Sequence, residues 1–100
     1  MTRLKDPDEY GIQEDSMAFH IEIVKQNESE NKVIYSFTST SSLYQNSLPG
    51  LLEINKKNGN VVLIRMAEND VRKAFFMRAS RKVFVHWKNN EYPDKTEWAS

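Results

Sequence analysis

The chain contains no cysteine. That excludes a disulfide framework, a thiolate nucleophile and any Cys-ligated zinc or iron–sulfur centre. Glycine is scarce as well, and Gly11, Gly50 and Gly59 lie far apart, so no glycine-rich loop can cradle a phosphate. Apolar runs such as residues 61–64 (VVLI) reach only four residues, against the ~20 that a membrane-spanning helix requires. The opening stretch MTRLKDPDEYGIQED lacks the apolar centre of a secretion signal. Nor does one sign of charge prevail: 14 basic residues balance 14 acidic ones, unlike a polycation built for a nucleic-acid backbone. The expectation is a cytoplasmic protein with neither metal nor cofactor.

What the chain does have is one core's worth of material: 100 residues, 39% hydrophobic, 11% aromatic. Residues 1–16 hold Asp6, Asp8, Glu9, Glu14 and Asp15 around the breakers Pro7 and Gly11. They read as an acidic, partly irregular arm, with residues 17–100 as a single α+β domain. From Met17 onward Phe19, Ile21 and Ile23 alternate with more polar neighbours, and the alternation resumes at Val33, Tyr35 and Phe37 after the polar stretch 26–31. A period of two predicts a hairpin with one buried face. A Ser-rich connection over 40–49 leads to a second pair of strands, 51–55 and 61–66, joined through Asn58-Gly59. Both residues tolerate the positive φ of a tight turn.

Between Val71 and Lys88 there is no Gly or Pro, and Phe75, Phe76, Ala79, Val83 and Trp87 recur at helical spacing. Asn69 or Asp70 stands ready as the N-cap. The run KVFVHW at 82–87 also alternates as a strand would. The cap, Ala74 and Ala79 favour a continuous helix over that alternative. Trp98 in the tail packs back on the body. The expected fold is therefore α+β: a four-stranded antiparallel sheet with a C-terminal helix packed on one face.

No catalytic or metal motif is evident. His20 and His86 are 66 positions apart, with no HxxxH or HExxH spacing. Ordinary roles suit both: a cross-strand residue for His20, a helix-surface residue for His86. Ser36, Ser39, Ser41, Ser42 and Ser47 mark a loop region without a GxSxG elbow. Charge, neutral in sum, is segregated along the chain. Residues 1–30 carry eight acids against three bases, while 71–90 carry Arg72, Lys73, Arg78, Arg81, Lys82 and Lys88 with no acid.

The segment GLLEINKKNGNVV at 50–62, together with 67–70, the basic-aromatic helix and EYPDKT at 91–96, resembles small bacterial immunity proteins of polymorphic-toxin and contact-dependent growth inhibition systems. The resemblance implies no catalytic residues and a one-to-one complex, made by a monomer, that occludes a cognate toxin domain of nuclease type. An acidic surface complements a basic nuclease, which makes Tyr10, Glu14, Asp15, Glu22 and the loop residue Tyr44 the candidate partner contacts. Should the toxin surface be acidic, Arg78, Arg81 and Lys82 take that role. The alternative function is a nucleic-acid-binding or regulatory module using the basic helix 71–88. A third is a small enzyme that uses His20 or His86.

Overall fold

A computed structural model of the chain describes residues 20–40, 47–68 and 70–99. The arm 1–16, the beginning of the first expected strand, and the candidate residues Tyr10, Glu14, Asp15 and Tyr44 lie outside them. Strand β1 (His20–Glu28) and β2 (Lys32–Ser39) form the first hairpin, and β3 (Gly50–Asn55) and β4 (Val61–Arg65) the second. A short left-handed turn over Val71–Lys73 leads into helix α1 (Ala74–Lys88), and β5 (Lys95–Ala99) follows. All described strands join one antiparallel sheet in the order β4-β3-β2-β1-β5.

The sheet has five strands where four were expected. The tail not only packs Trp98 against the core but also pairs with β1, from His20 opposite Ala99 to Val24 opposite Lys95. Without it the outer edge of β1 would leave backbone donors and acceptors unpaired. Two contacts seat this return: the Tyr35 hydroxyl donates to the Pro93 carbonyl at 2.9 Å, and the Lys25 N–H donates to the Asp94 carbonyl at 2.8 Å. Burial pushes the Tyr35 hydroxyl up to about 12, which keeps it a donor at any ordinary pH. The first hairpin also extends further than its polar composition suggests. A bulge between Lys25 and Asn27 re-phases β1 so that Asn27 and Glu28 still pair with Ile34 and Val33.

One face of the sheet carries Ile21, Ile23, Val33, Tyr35, Phe37, Leu52 and Ile54, all buried. Helix α1 covers it with Phe75, Ala79 and Val83. The run 82–87 is helical throughout. The expected N-cap at Asn69 or Asp70 does not form, because α1 starts only at Ala74 and Lys73 takes the N-cap position; Asp70 nonetheless reaches the first helix turn from further back. Its carboxylate, 4% exposed, accepts the N–H of Phe75 at 2.7 Å and of Phe76 at 3.1 Å. The chain turns back far enough to permit this because Arg72 and Lys73 both adopt left-handed φ, 60° and 59°, a conformation that costs side chains energy. No described helix is long and apolar enough to cross a membrane.

At the other end of the helix the β3–β4 turn runs through Asn58-Gly59 as expected, but only Gly59 takes a positive φ; Asn58 does not. The Asn55 carboxamide oxygen accepts the N–H groups of Lys57 and Asn58, and Gly59 closes the turn at φ 76°. Trp87 lies directly against this glycine: a Cβ there would meet the indole ring at 2.7 Å. Gly59→Ala thus combines a strained φ with a clash and should lower unfolding free energy by about 1–3 kcal/mol, measured by urea denaturation. Asp70→Ala should cost about 1–2 kcal/mol by freeing two helix N–H groups, and Asp70→Ser should recover part of it.

Candidate functional site

The face of the sheet away from the helix is covered by no described element, and cross-strand ion pairs occupy it. Glu22 takes Lys95 at 2.9 Å, Glu53 takes Lys32 at 3.5 Å, and Glu97 takes the His20 Nε2 at 2.7 Å. Glu22, the one sequence-expected contact within the described residues, is therefore already engaged. The same holds for most acids. Glu28 lies between Lys25 and Lys56, which hold its carboxyl down to about 2, chiefly through their hydrogen bonds. Asp94 pairs with Lys25, Glu91 with His86, and Glu68 accepts the Leu48 N–H at 2.9 Å. Among the described acids, Glu30 alone has no such partner.

The two histidines do not meet. Alternation along β1 and β5 puts His20 on the uncovered face, whereas His86 bonds Thr96 Oγ1 at 3.0 Å on the helix side. The sheet lies between them, so a site using both is not formed. His86 is more than a surface residue. With Nδ1 on Glu91 and Nε2 on Thr96 it ties the end of α1 to β5.

A different part of the molecule is left unused by the fold. Strand β4 is the sheet edge opposite β5, and its outward side chains Val62 and Ile64 are 55% and 47% exposed. Met66 continues the strip. On the helix, Met77, Ser80 and Phe84 fall at three- and four-residue steps along the flank overhanging β4, with Met77 63% exposed. A groove of about 450 Å³ runs between this stripe and residues 59–61, with Arg81 at its wall. Nearby, Phe84 tilts against Trp87 at 5.4 Å between ring centroids, and the Lys88 ammonium stands 5.9 Å from the Phe84 ring.

The free charge around this flank is basic. Lys57, Arg81 and Lys88 make no ion pair among the described residues, and Arg65 donates only to the Pro49 carbonyl, at 2.8 and 3.2 Å. Of the basic alternatives raised by the sequence, Arg81 lines the groove. Arg78 is half-buried and donates to the Ala74 carbonyl, and Lys82 lies on the opposite flank beside Lys95 and Glu97. The sequence gives little sign of this flank. VVLI reads as a core strand, but Val62 and Ile64 point to the sheet face that no described element covers. No family model, curated protein or solved structure matches the chain.

The Glu28 cluster generates a pH dependence. A carboxyl lowered from its ordinary 4.5 to about 2 on folding contributes stability that is complete above pH about 4.5 and lost as pH falls towards 2. Glu28→Gln should therefore flatten the decline of stability between those pH values, read by denaturant titrations across that range.

Proposed function

We propose that this domain is a protein-binding inhibitor of the immunity-protein type, which neutralises a nuclease-type toxin domain by one-to-one occlusion. One observation carries the reading: at the β4 edge, apolar side chains stay exposed on both sides of the sheet, Val62 and Ile64 on the uncovered face and Met77 and Phe84 over the groove on the helix side, with bases that make no described ion pair nearby. Small soluble domains seldom leave clustered apolar surface of this kind without a partner for it. An interface of about 800 Å² per side suffices for a specific complex, and occlusion needs no reactive group on the inhibitor. The free charges on this flank favour an acidic patch on the toxin, in place of the basic one first expected.

A second reading keeps some support. Arg72, Lys73, Arg81 and Lys88 are exposed along or just before α1, as a phosphate-binding surface would require.

Co-expression separates the two. The C-terminal domain of the protein encoded immediately upstream should arrest bacterial growth when induced alone. The present protein should restore growth and co-purify with that domain at one to one. Failure to rescue, joined with binding to generic DNA or RNA that weakens steeply with salt, would replace the inhibitor by the nucleic-acid reading.

A further inference from the structure

We infer that the partner binds by adding an extended, acidic segment as a sixth strand along the outer edge of β4. This rests on the reading of that flank as the protein-binding side. The two edges of the sheet differ in the way that decides the matter. Edge strands invite pairing unless charges or prolines guard them. β5 is guarded by Lys95 and Glu97, both exposed, whereas β4 presents Val61 to Ile64 with no charge before Arg65.

The backbone groups needed for strand addition are available. The Asn55 N–H donates to the Asn60 carbonyl at 2.9 Å. Alternation of the antiparallel ladder then turns Val62 towards β3 and leaves the N–H and C=O of Val61 and Leu63 facing outward. No described strand lies beyond them. An incoming strand would find the groove ready on its helix side. Its inward side chains would continue the layer of Val61 and Leu63 beneath Met77 and Phe84, as strand-addition partners do when backbone bonds supply affinity and alternate pockets supply specificity.

Charge identifies the occupant. Arg81 stands in the groove, Lys88 stands 5.9 Å from the Phe84 ring that lines it, and Lys57 lies in the turn leading to Gly59. The acids of the neighbouring elements are spent, Glu53 on Lys32 and Glu68 on the Leu48 N–H. A second copy would bring Arg81 and the all-basic helix face towards their equivalents, and like charges oppose such a meeting. A segment with apolar residues at its centre and acids on either side satisfies both the groove and its rim. The bulge between Leu51 and Leu52 in the β3–β4 ladder disturbs regular pairing near Ile64, so the added strand is centred on residues 61–63.

The test is amide hydrogen exchange on the full chain, with two probes. The first is an acetylated peptide with Val-Thr-Val-Thr at its centre and Asp-Glu on each side, compared with a counterpart carrying Lys-Lys on each side. The second is the upstream toxin domain. The acidic peptide should slow exchange at Val61 and Leu63 by about tenfold, and the basic one should not. Arg81→Glu should reverse that preference. Val62→Lys, checked for intact folding by its urea midpoint, should weaken toxin binding by about tenfold or more, while Glu97→Lys on the opposite edge should leave it within about twofold.

If the toxin domain binds but those amides stay unprotected and Val62→Lys is silent, strand addition is overturned and the inhibitor reading stands. If the acidic peptide protects them but no toxin is bound, the edge site stands and the inhibitor reading falls. A concentration-dependent dimer abolished by Val62→Lys would give the edge to a second copy and overturn the proposed partner.

Discussion

The seating of Trp87 on the β3–β4 turn decides where everything else in the molecule can lie. Its indole N–H donates to the Lys56 carbonyl at 2.7 Å while the ring covers Gly59. That pins the C-terminal end of the helix to one corner of the sheet, and Asp70 fixes the N-terminal end. Between those points Ala79, fully buried, has a side chain small enough to let the helix axis approach the strands closely. Held in this line, the helix brings His86 to Thr96, and with it the returning strand to β1. The Lys56 ammonium, 5.0 Å above the Tyr92 ring, joins the same corner to the chain that follows the helix.

Elements whose pattern is local were legible in the sequence. The alternation of Val33, Tyr35 and Phe37, the Asn58-Gly59 turn and the helical spacing of Phe75, Ala79 and Val83 are each complete within a few residues. β5 was hidden because KTEWA offers only Thr96 and Trp98 as an inward pair, interleaved with the charged Lys95 and Glu97. Its pairing is determined by β1, some seventy positions earlier in the chain (Val24 meets Lys95). The ambiguous run 82–87 was settled by tertiary contact: Val83 enters the core and Trp87 reaches the turn, which a strand ending there would not achieve. Of the candidate contacts, Glu22 was placed correctly on the uncovered face, but its engagement with Lys95 depends on the strand that the pattern did not show.

Charge follows the same logic. Counting residues along the chain suggested an acidic surface, because the N-terminal third holds most of the acids. Of the acids of that third which the structure describes, folding spends Glu22 on Lys95 of β5, and Glu28 on Lys25 of its own strand and Lys56 of the β3–β4 turn, and leaves Glu30 without such a partner. Arg81 and Lys88 of α1 face solvent, and no acid on that helix neutralises them. What the described surface presents is therefore the remainder after internal pairing, and near β4 that remainder is positive.

The strand order carries a consequence for synthesis. Four strands follow one another as a simple meander, each pairing with its predecessor as soon as it emerges. β5 instead returns to pair with β1, the first of the described strands. Until residues 95–99 have left the ribosome, β1 is an unguarded edge in addition to β4, and Tyr35 lacks the Pro93 carbonyl that accepts its hydroxyl hydrogen bond. The last step of folding is thus a long-range closure, and the window before it is when the chain is most exposed to strand capture by other nascent chains or to the attention of chaperones.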